Sequence, residues 1–341
     1  MELPAVSYVM PVLNEVEYLE EAVRGVLGQE YPSGQELVIA LGASTDGTNE
    51  VAARLAAADP RVILVDNPDN DVPVGLNLAT RASHHPIIVR VDAHSTLPDG
   101  YTATMVETLL RTGSANVGGV MKAQGRTPFQ RAVARVYNSP WGLGGNAFHG
   151  SQQEGPAETA YLGVCRRDVL DEVGGYDETM RRAQDWELNS RIIAAGHQVW
   201  FTPDVEVGYW PRSTPGALRR QMFATGVWRG HLVRRQGHTP LRYLAPPALV
   251  VGLGASAGAA LVQGIRAVGG RKTDAAWAAH LVPLAYAGGL AAVGARLGGE
   301  TAQDRVLNVV ALGIVHVSWG AGFLKGWVAG AESTVDRSRS N

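Results

Sequence analysis

The stretch "VSYVMPVLNEVEYLEEAVRGVLGQ", residues 6–29, decides the fold class. It opens on a short apolar run (6–12), passes through a polar segment and continues into a helical pattern over residues 16–29. Short apolar runs that alternate with helical patterns are typical of the buried strands and crossover helices of parallel sheets. The stretch therefore predicts a strand, a loop and a helix.

The same alternation continues along the chain. Further strand-like runs and one clear helical pattern follow at residues 37–41, 62–65, 87–91 and 116–121, and at 48–58. We expect an α/β fold with a Rossmann-like, mostly parallel sheet. Ligands of such sheets bind at the carboxyl ends of the strands. The motifs predicted to lie there are "PVLNE" (11–15), "GASTDGT" (42–48) and "DAHS" (92–95).

Charge is distributed unevenly along the chain. The formal net charge of −2 argues against a general nucleic-acid binder, and we expect no nucleic-acid partner. Between Glu206 and Asp274 there is no acidic residue. The basic residues of that interval are Arg212, Arg219, Arg220, Arg229, Arg234, Arg235, Arg242, Arg266, Arg271 and Lys272. Such a block favours anionic lipid headgroups or a pyrophosphate-bearing partner, and a solvated basic face is the alternative.

The single cysteine and the N-terminus bear on the compartment. Cys165 excludes an internal disulfide, fits a reducing compartment and, among apolar neighbours, is expected to be a buried structural thiol. Residues 1–12 lack the basic and long apolar regions of a signal peptide. The N-terminal part is therefore expected to stay in the cytosol.

Three long apolar segments, rich in Ala and Gly, follow residue 243. They cover residues 244–262, 275–295 and 306–324. The first has no charged residue and, as a helix, would be about 28 Å long, close to the hydrocarbon thickness of a bilayer. Gly254 and Gly258 form a small-xxx-small pair, a pattern of close helix packing in membranes. We expect membrane helices whose arginine-rich flank faces the cytosol; a soluble Ala/Gly-rich helical domain is the alternative.

Several stretches together resemble the inverting glycosyltransferases of family 2, which have the GT-A fold. These are "VMPVLNEVEYLEEAVRGVLGQEYP" (9–32), "ELVIALGASTDGTNEV" (36–51), "GLNLATRASHHPIIVRVDAH" (75–94) and the segment 161–207, which begins "YLGVCRRD". The resemblance covers about residues 6–235. The variants "RVDAH" (90–94) and "QDWEL" (184–188) look most like the exopolysaccharide branch that includes succinoglycan glucosyltransferases.

The resemblance implies a binding site for a nucleotide-sugar donor. The residues it assigns to that site are Pro11, Val12, Asn14, Glu15, Ser44, Asp46, Asn77, Arg90 and Asp92. By residue type alone, Asp46-Gly47 is a strong turn signal, and an ordinary turn between a strand and a helix would look the same. Many family members carry acidic residues where this chain has Leu41-Gly42-Ala43. The sequence therefore leaves the nucleotide base of the donor open, although a UDP-sugar is expected.

"DAH" takes the place of the family's Asp-x-Asp motif and predicts a metal site. If the strand continues through it, Asp92 and His94 point to the same side; polar residues at a wet strand end are the alternative. Carboxylate ligands suit Mg²⁺ or Mn²⁺, and an imidazole tilts the preference toward Mn²⁺. Many members add a histidine where this chain has "GYWPR" (208–212). The site has fewer protein ligands, or Arg212 neutralises phosphate directly.

"QDWEL" takes the place of the family's Glu-Asp motif, which makes Asp185 the expected general base for the acceptor hydroxyl. A helix N-cap is the alternative role for Asp185. The residues expected at the acceptor or the diphosphate are Gln184, Trp186, Arg212, Gln221, Trp228 and Arg229. The last three come from "RRQMFATGVWRG" (219–230), which partly resembles the Gln-x-x-Arg-Trp element of processive relatives; an amphipathic interfacial helix is the alternative. Because that element is interrupted, we expect transfer of a single sugar.

The resemblance implies a membrane-associated inverting glycosyltransferase that moves a sugar from a nucleotide-diphosphate donor to an acceptor hydroxyl. The expected acceptor is a polyprenyl-linked saccharide or another glycan of polysaccharide or cell-envelope synthesis. We expect the enzyme among the lipids of the cell membrane, with its catalytic domain on the cytoplasmic side. The alternatives are a polyprenyl-phosphate sugar synthase and a non-catalytic nucleotide-sugar sensor, which Leu41-Gly42-Ala43 and Gln184 favour.

Four regions are expected along the chain. They are a GT-A catalytic domain at residues 1–215, a basic interfacial helix region at 216–243, about three membrane-associated helices at 244–324 and a disordered tail at 325–341.

Overall fold

A computed structural model of the chain describes residues 2–142, 153–180, 182–237, 239–269 and 277–331. The chain divides into two compact units, one comprising Met1–Gln124 and Leu143–Trp210, the other Gly125–Gly142 and Pro211–Asn341. Most of the expected catalytic domain is thus one unit, but residues 125–142 group with the C-terminal part of the chain.

Within the described residues, the first unit is built on a nine-stranded sheet. The strands are β1 (Val6–Val12), β2 (Gln35–Leu41), β3 (Val62–Asp66), β4 (Ile87–Arg90), β5 (Ser95–Thr96), β6 (Asn116–Ala123), β7 (Gly155–Pro156), β8 (Val164–Arg166) and β9 (Val199–Tyr209). Their order is β3-β2-β1-β4-β8-β6-β9-β5, and β7 pairs with β9. The ladders among β1 to β4 and between β6 and β9 are parallel, whereas β8 is antiparallel to β4 and β6. The predicted α/β class is confirmed.

Helices follow most of the strands. They are α1 (Leu19–Leu27), α2 (Thr48–Ala58), α3 (Val72–Ala82), α4 (Tyr101–Thr112), α5 (Pro128–Tyr137), α6 (Arg167–Glu172), α7 (Gln184–Ala194), α8 (Pro215–Gln236), α9 (Ala245–Val268), α10 (Leu281–Arg296) and α11 (Ala302–Ala329). Of these, α5 and α8 to α11 belong to the second unit.

The sheet is covered on both faces because successive residues of its central strands point to opposite sides. In β1, Tyr8 and Met10 pack into one apolar cluster with Leu19 of α1. Val9 packs into the other cluster, with Leu76 of α3. Since β1, β2, β3 and β4 are parallel, their carboxyl ends meet at one edge of the sheet.

A buried cluster of polar residues lies at the other, amino-terminal ends of these strands. Ser7 and Glu36 are register partners in β1 and β2, and Ser7 Oγ donates to Glu36 Oε1 at 2.6 Å. The backbone N–H of His84 donates to the same carboxylate at 2.5 Å, and His84 Nδ1 lies 2.9 Å from Glu36 Oε2. Burial raises the pKa of Glu36, but these hydrogen bonds outweigh it and hold that pKa below its ordinary value.

This depressed pKa makes a stability prediction. Glu36→Gln should lower the free energy of unfolding by about 1.5–3 kcal/mol at neutral pH, the usual worth of a hydrogen bond to a charged group. Because the folded-state pKa is lowered, the carboxylate stabilises the fold above its unfolded-state pKa and loses that effect as the pH falls through the folded-state pKa. Melting temperatures of the two proteins should therefore converge in acid, and a constant gap would contradict the account. Exposed Glu30→Gln is the control.

The second unit includes α5 because that helix is joined to α11 by charged and polar contacts. The helix starts at a capping box formed by Thr127 and Gln130. Near its end, Arg135 Nε donates to Asn308 Oδ1 at 2.9 Å, and a terminal guanidinium nitrogen donates to Asp304 Oδ1 at 2.9 Å. Long-range pairing of this kind leaves no signal in the local sequence.

Three segments of the described chain are long and apolar enough to cross a membrane: Leu241–Val268, Trp277–Arg296 and Ala302–Ala329. They correspond to the three predicted apolar segments, although residues 275–276 lie outside the described residues. The disordered tail was expected from residue 325, but α11 continues to Ala329. Residues 332–341 of that tail lie outside the described residues.

Two small-xxx-small pairs bring α8 and α11 together within the second unit. On α8 the pair is Gly226 and Gly230, and on α11 it is Gly322 and Gly326. A Cβ at any of the four would overlap main-chain atoms of the facing helix. The pair expected from the sequence, Gly254 and Gly258, is different, since an added Cβ there meets nothing within 4 Å. The residue spacing is the same in all three pairs, so the sequence does not distinguish the packed pairs from the open one.

Gly326→Leu should therefore destabilise the second unit. The side chain would be forced against the Val227 carbonyl, and overpacking of this kind typically lowers the free energy of unfolding by about 1–3 kcal/mol or more. The matched control is Gly258→Leu, at the same motif position where the added side chain meets open space. Thermal unfolding in detergent, followed by tryptophan fluorescence, should show a lower midpoint only for Gly326→Leu. Equal midpoints for both variants would contradict the packing.

Candidate active site

Two loops at the carboxyl edge of the sheet are joined by hydrogen bonds. Asn14, which follows β1, has a positive φ of 54°, and its N–H donates to Ser44 Oγ at 3.1 Å. The N–H of Thr45, which follows β2, donates to Asn14 Oδ1 at 2.8 Å. Asparagine tolerates this backbone conformation, and its side chain here bonds across to the neighbouring loop. The "PVLNE" and "GASTDGT" motifs therefore form one unit at the edge.

Asp46 also ties the loop after β1 to the loop after β2. Its carboxylate accepts hydrogen bonds from the N–H of Val16 at 3.2 Å, the N–H of Thr48 at 3.0 Å and the Thr48 hydroxyl at 2.5 Å. Partial loss of hydration raises the pKa of Asp46, but these hydrogen bonds lower it by more, so the net pKa lies below its ordinary value. Asp46 thus fixes the turn before α2, and its predicted contact with a donor remains a prediction.

At the end of β4, Arg90 joins two acidic residues that are far apart in sequence. Its guanidinium pairs with Asp185 through one terminal nitrogen, and the other lies 3.3 Å from Asp92 Oδ1. The Arg90 side chain is only 7% exposed to solvent, whereas the side chain of Asp185 is 29% exposed and that of Asp92 is 20% exposed. The Arg90 guanidinium is therefore buried beside two carboxylates that remain partly exposed.

Asp185 is the second residue of α7, whose N-cap is Ala183. The alternative role as N-cap is therefore wrong, and the side chain is directed to Arg90 instead. Burial raises the pKa of Asp185; the positive charge of Arg90 opposes that shift, and the negative charge of Asp92 adds to it. The flanking Gln184 and Trp186 are partly buried.

His94 has a different partner from Asp92. β4 ends at Arg90, and Asp92 and Ser95 form a turn closed by a 2.9 Å hydrogen bond from the N–H of Ser95 to the Asp92 carbonyl. The alternation of an extended strand, used to align Asp92 with His94, does not hold there. His94 Nδ1 lies 2.9 Å from Glu15 Oε1, on the first loop.

The metal-ligating groups at this edge are few. Among the described residues, no three or more His, Cys, Asp or Glu side chains form a group that could hold a metal ion. Asp92 and His94 supply one carboxylate and one imidazole, ligands that suit Mn²⁺. This donor set would fit a cation held by two protein ligands.

Asn77 has a structural role that sequence reasoning missed. Its amide nitrogen donates to the Tyr176 carbonyl and to Glu178 Oε1, both at 2.9 Å, and its oxygen accepts from the Tyr176 N–H at 2.8 Å. An added Cβ at Gly175, where φ is 72°, would lie 2.7 Å from Asn77 Oδ1. Asn77 therefore holds the segment that leads toward α7.

Known proteins similar to this chain identify its family. The sequence model described as "Glycosyl transferase family 2" matches residues 7–174. The chain is 32% identical over 319 residues to "Succinoglycan biosynthesis protein ExoA" of Rhizobium meliloti (strain 1021), and 92% of each chain is covered. The chain belongs to glycosyl transferase family 2.

A more distant relative agrees with this membership, and a solved structure shares the fold. The enzyme is 27% identical over 226 residues to "Glycosyltransferase AglE" of Haloferax volcanii, covering 66% of this chain and 72% of that one. It superposes on the "Mannosyltransferase PcManGT from Pyrobaculum calidifontis in complex with GDP-Man and Mn2+" with a TM-score of 0.65 at 21% identity, covering 95% of this chain and 87% of that one. The shared architecture confirms the predicted GT-A fold.

Two further predicted residues, Pro11 and Val12, end β1 in the first unit. Four others lie in the second unit. Arg212, Gln221, Trp228 and Arg229 are all buried. Gln221 accepts a 3.2 Å hydrogen bond from the hydroxyl of Tyr137, and the Arg229 guanidinium lies 4.1 Å from the ring centre of Tyr243. These contacts belong to the packing of α8, and roles at an acceptor or a diphosphate remain predictions.

Cys165 is buried, as predicted, and burial raises the pKa of its thiol to about 12. At neutral pH it is a protonated core side chain, which excludes the thiolate chemistry of a nucleophile.

Proposed function

We propose that this family 2 enzyme is a membrane-associated, inverting glycosyltransferase that moves a sugar from a nucleotide-diphosphate donor to an acceptor hydroxyl. The observation that carries the proposal is the Asp185–Arg90–Asp92 group at the carboxyl edge of the sheet. This group offers the buried guanidinium of Arg90 and two carboxylates that remain partly exposed. It lies at the carboxyl edge of the sheet, where ligands of α/β proteins bind.

Asp185 acts as the general base. Its carboxylate accepts the proton of the acceptor hydroxyl while that oxygen attacks the anomeric carbon and the bond to the diphosphate breaks. A single base is sufficient for inversion, because no covalent sugar intermediate forms. Arg90 orients the Asp185 carboxylate and favours its ionised form, and burial keeps the group basic enough to take the proton.

Asp92 and His94 would hold the divalent cation, Mn²⁺ or Mg²⁺. When bound, such a cation neutralises the negative charge that develops on the leaving diphosphate. The fold shared with a mannosyltransferase solved with GDP-Man and Mn²⁺ supports this assignment. Asp92 lies in the turn after β4, and Arg90 beside it limits the electrostatic repulsion between Asp92 and Asp185.

The donor is proposed to be a UDP-sugar held by the joined loops after β1 and β2, where Asn14, Ser44 and Asp46 already fix the backbone. A lipid-linked glycan acceptor is supported by the name of one relative, a Methanococcus voltae enzyme named for a dolichyl phosphate-linked sugar, 22% identical over 71% of this chain and 77% of that one. The name of another relative, "Succinoglycan biosynthesis protein ExoA", supports a role in polysaccharide synthesis. Polysaccharide or cell-envelope glycan synthesis is the proposed process.

The proposed location is the cell membrane, with the first unit on the cytoplasmic side. α9 supports it most directly: Leu261, Ile265 and Val268 are exposed apolar side chains, and the segment has no acidic residue. An apolar helix surface of this extent is stable in lipid rather than in water. The arginines of α8 precede it, as the positive-inside rule expects of a cytoplasmic flank.

The stereochemistry of the product tests the proposed reaction. Proton NMR of the product formed by detergent-solubilised enzyme should show the anomeric configuration opposite to that of the donor. Retention of the donor configuration would contradict a mechanism with Asp185 as the single base.

A further inference from the structure

The histidine of the proposed metal pair has one ring nitrogen engaged and the other open. His94 Nδ1 lies 2.9 Å from Glu15 Oε1, and the two side chains are only 18% and 12% exposed. An ionised carboxylate can only accept, so the proton of a neutral imidazole must sit on Nδ1. Within the part of the chain that the structure describes, no group hydrogen-bonds to Nε2. Nε2 is therefore the nitrogen that presents a lone pair.

Glu15 itself is fixed by the neighbouring turn. Its backbone N–H donates to Thr48 Oγ1 at 2.9 Å. The preceding Asn14 is held by Ser44 and Thr45, and the following Val16 donates to Asp46. The backbone at Glu15 and on both sides of it is thus tied to the loop after β2 and the start of α2, so the Glu15 side chain extends toward His94 from a fixed position.

We propose that Glu15 is a positioning residue that holds His94 in the tautomer and orientation in which Nε2 binds the divalent cation shared with Asp92. The inference deepens the proposed function, on which the presence of the cation rests. It also changes the role of Glu15, which the family resemblance assigned to the donor. A carboxylate behind a metal-binding imidazole fixes its ring and raises its basicity, and loss of such a partner typically weakens metal affinity about 10–100-fold.

The test measures binding of Mn²⁺ alone to the full-length, detergent-solubilised protein by electron paramagnetic resonance. We expect Glu15→Ala to weaken Mn²⁺ binding about 10–100-fold, whereas Glu15→Gln, whose amide oxygen still accepts from Nδ1–H, should lose much less. Glu17→Gln, an exposed residue of the same loop, is the matched control and should bind as the wild type does. Thermal unfolding of each variant shows that it is folded.

Spin-echo modulation gives a readout that a merely structural role would not move. Wild-type protein with Mn²⁺ should show nitrogen coupling from His94, which His94→Ala should abolish. Unchanged Mn²⁺ affinity in Glu15→Ala would overturn the inference. So would equal losses in Glu15→Gln and Glu15→Ala, because the Gln amide oxygen still accepts from Nδ1–H and should hold the imidazole in place.

The same samples separate this inference from the proposed function. Sugar transfer by the wild type without nitrogen coupling would refute the role of His94 and Glu15 but leave the enzyme assignment standing. Nitrogen coupling that depends on Glu15, without turnover of any donor, would support the positioning role and contradict the proposed function.

Discussion

Asp185→Asn should lower kcat for sugar transfer to a hydroxyl acceptor by about 10²–10⁴-fold, the usual contribution of a general base. The variant keeps the size of the side chain and should bind donor nucleotide nearly as tightly as the wild type. Steady-state release of nucleoside diphosphate gives kcat, and fluorescence titration gives donor affinity. Asp171→Asn, at an exposed position of the same unit, should have no effect.

The nature of the acceptor sharpens this experiment. A phosphate acceptor is already anionic and needs no base, so a polyprenyl-phosphate sugar synthase would keep most of its activity as Asp185→Asn. Full activity of the variant with a hydroxyl acceptor would remove Asp185 from the mechanism altogether.

The pH profile should reflect the environment of Asp185. Burial raises the pKa of Asp185, and only the ionised carboxylate accepts the proton, so kcat should rise with pH through a value above that of an ordinary aspartate. The contribution of Asp185 to the free energy of unfolding changes with pH in the opposite direction to kcat. Because its folded-state pKa is raised, its contribution is present below the unfolded-state pKa and is lost as the pH rises through the folded-state pKa.

Arg90→Gln should have the largest effect on the stability of the first unit. It leaves Asp185 and Asp92 without their shared cation in a partly buried site, and removal of one partner of a buried ion pair costs about 3 kcal/mol or more. For a unit of this size, a loss of ~3 kcal/mol corresponds to a fall in melting temperature of about 6–12 °C. Tryptophan fluorescence on heating measures it, and exposed Arg81→Gln is the control.

A double variant distinguishes charge from packing as the cause. Adding Asp185→Asn to Arg90→Gln removes one of the two uncompensated carboxylates, so the melting temperature should recover in part. If the double variant were less stable than Arg90→Gln alone, electrostatic repulsion would not be the origin of the loss. An Arg90→Gln protein as stable as the wild type would show that the buried cation is dispensable.

The fold could be predicted because its elements carry local signals. The apolar run at residues 6–12 coincides with β1, and the pattern at 48–58 coincides with α2. The ends of the elements were predicted less well. α1 begins at Leu19 rather than at residue 16, and β4 ends at Arg90, before the "DAHS" motif (92–95). That early stop is why strand alternation could not relate Asp92 to His94.

The candidate site depends on contacts that no local pattern contains. Arg90 and Asp185 are 95 positions apart, and Glu15 and His94 are 79 apart. The sequence indicated each of these residues through its motif, but the pairing arises only when the ends of β1 and β4 and the start of α7 lie at the same edge of the sheet. The packing of α8 on α11 is similar in kind, since Gly226 and Gly326 look no different in sequence from Gly258.

The most direct test of the central claim is release of nucleoside diphosphate from a panel of nucleotide sugars by the detergent-solubilised protein with Mn²⁺ or Mg²⁺. We expect at least one donor to be turned over in a metal-dependent reaction that an acceptor glycan accelerates and that Asp185→Asn slows by about 10²–10⁴-fold. Binding of nucleotide without turnover of any donor would contradict the account.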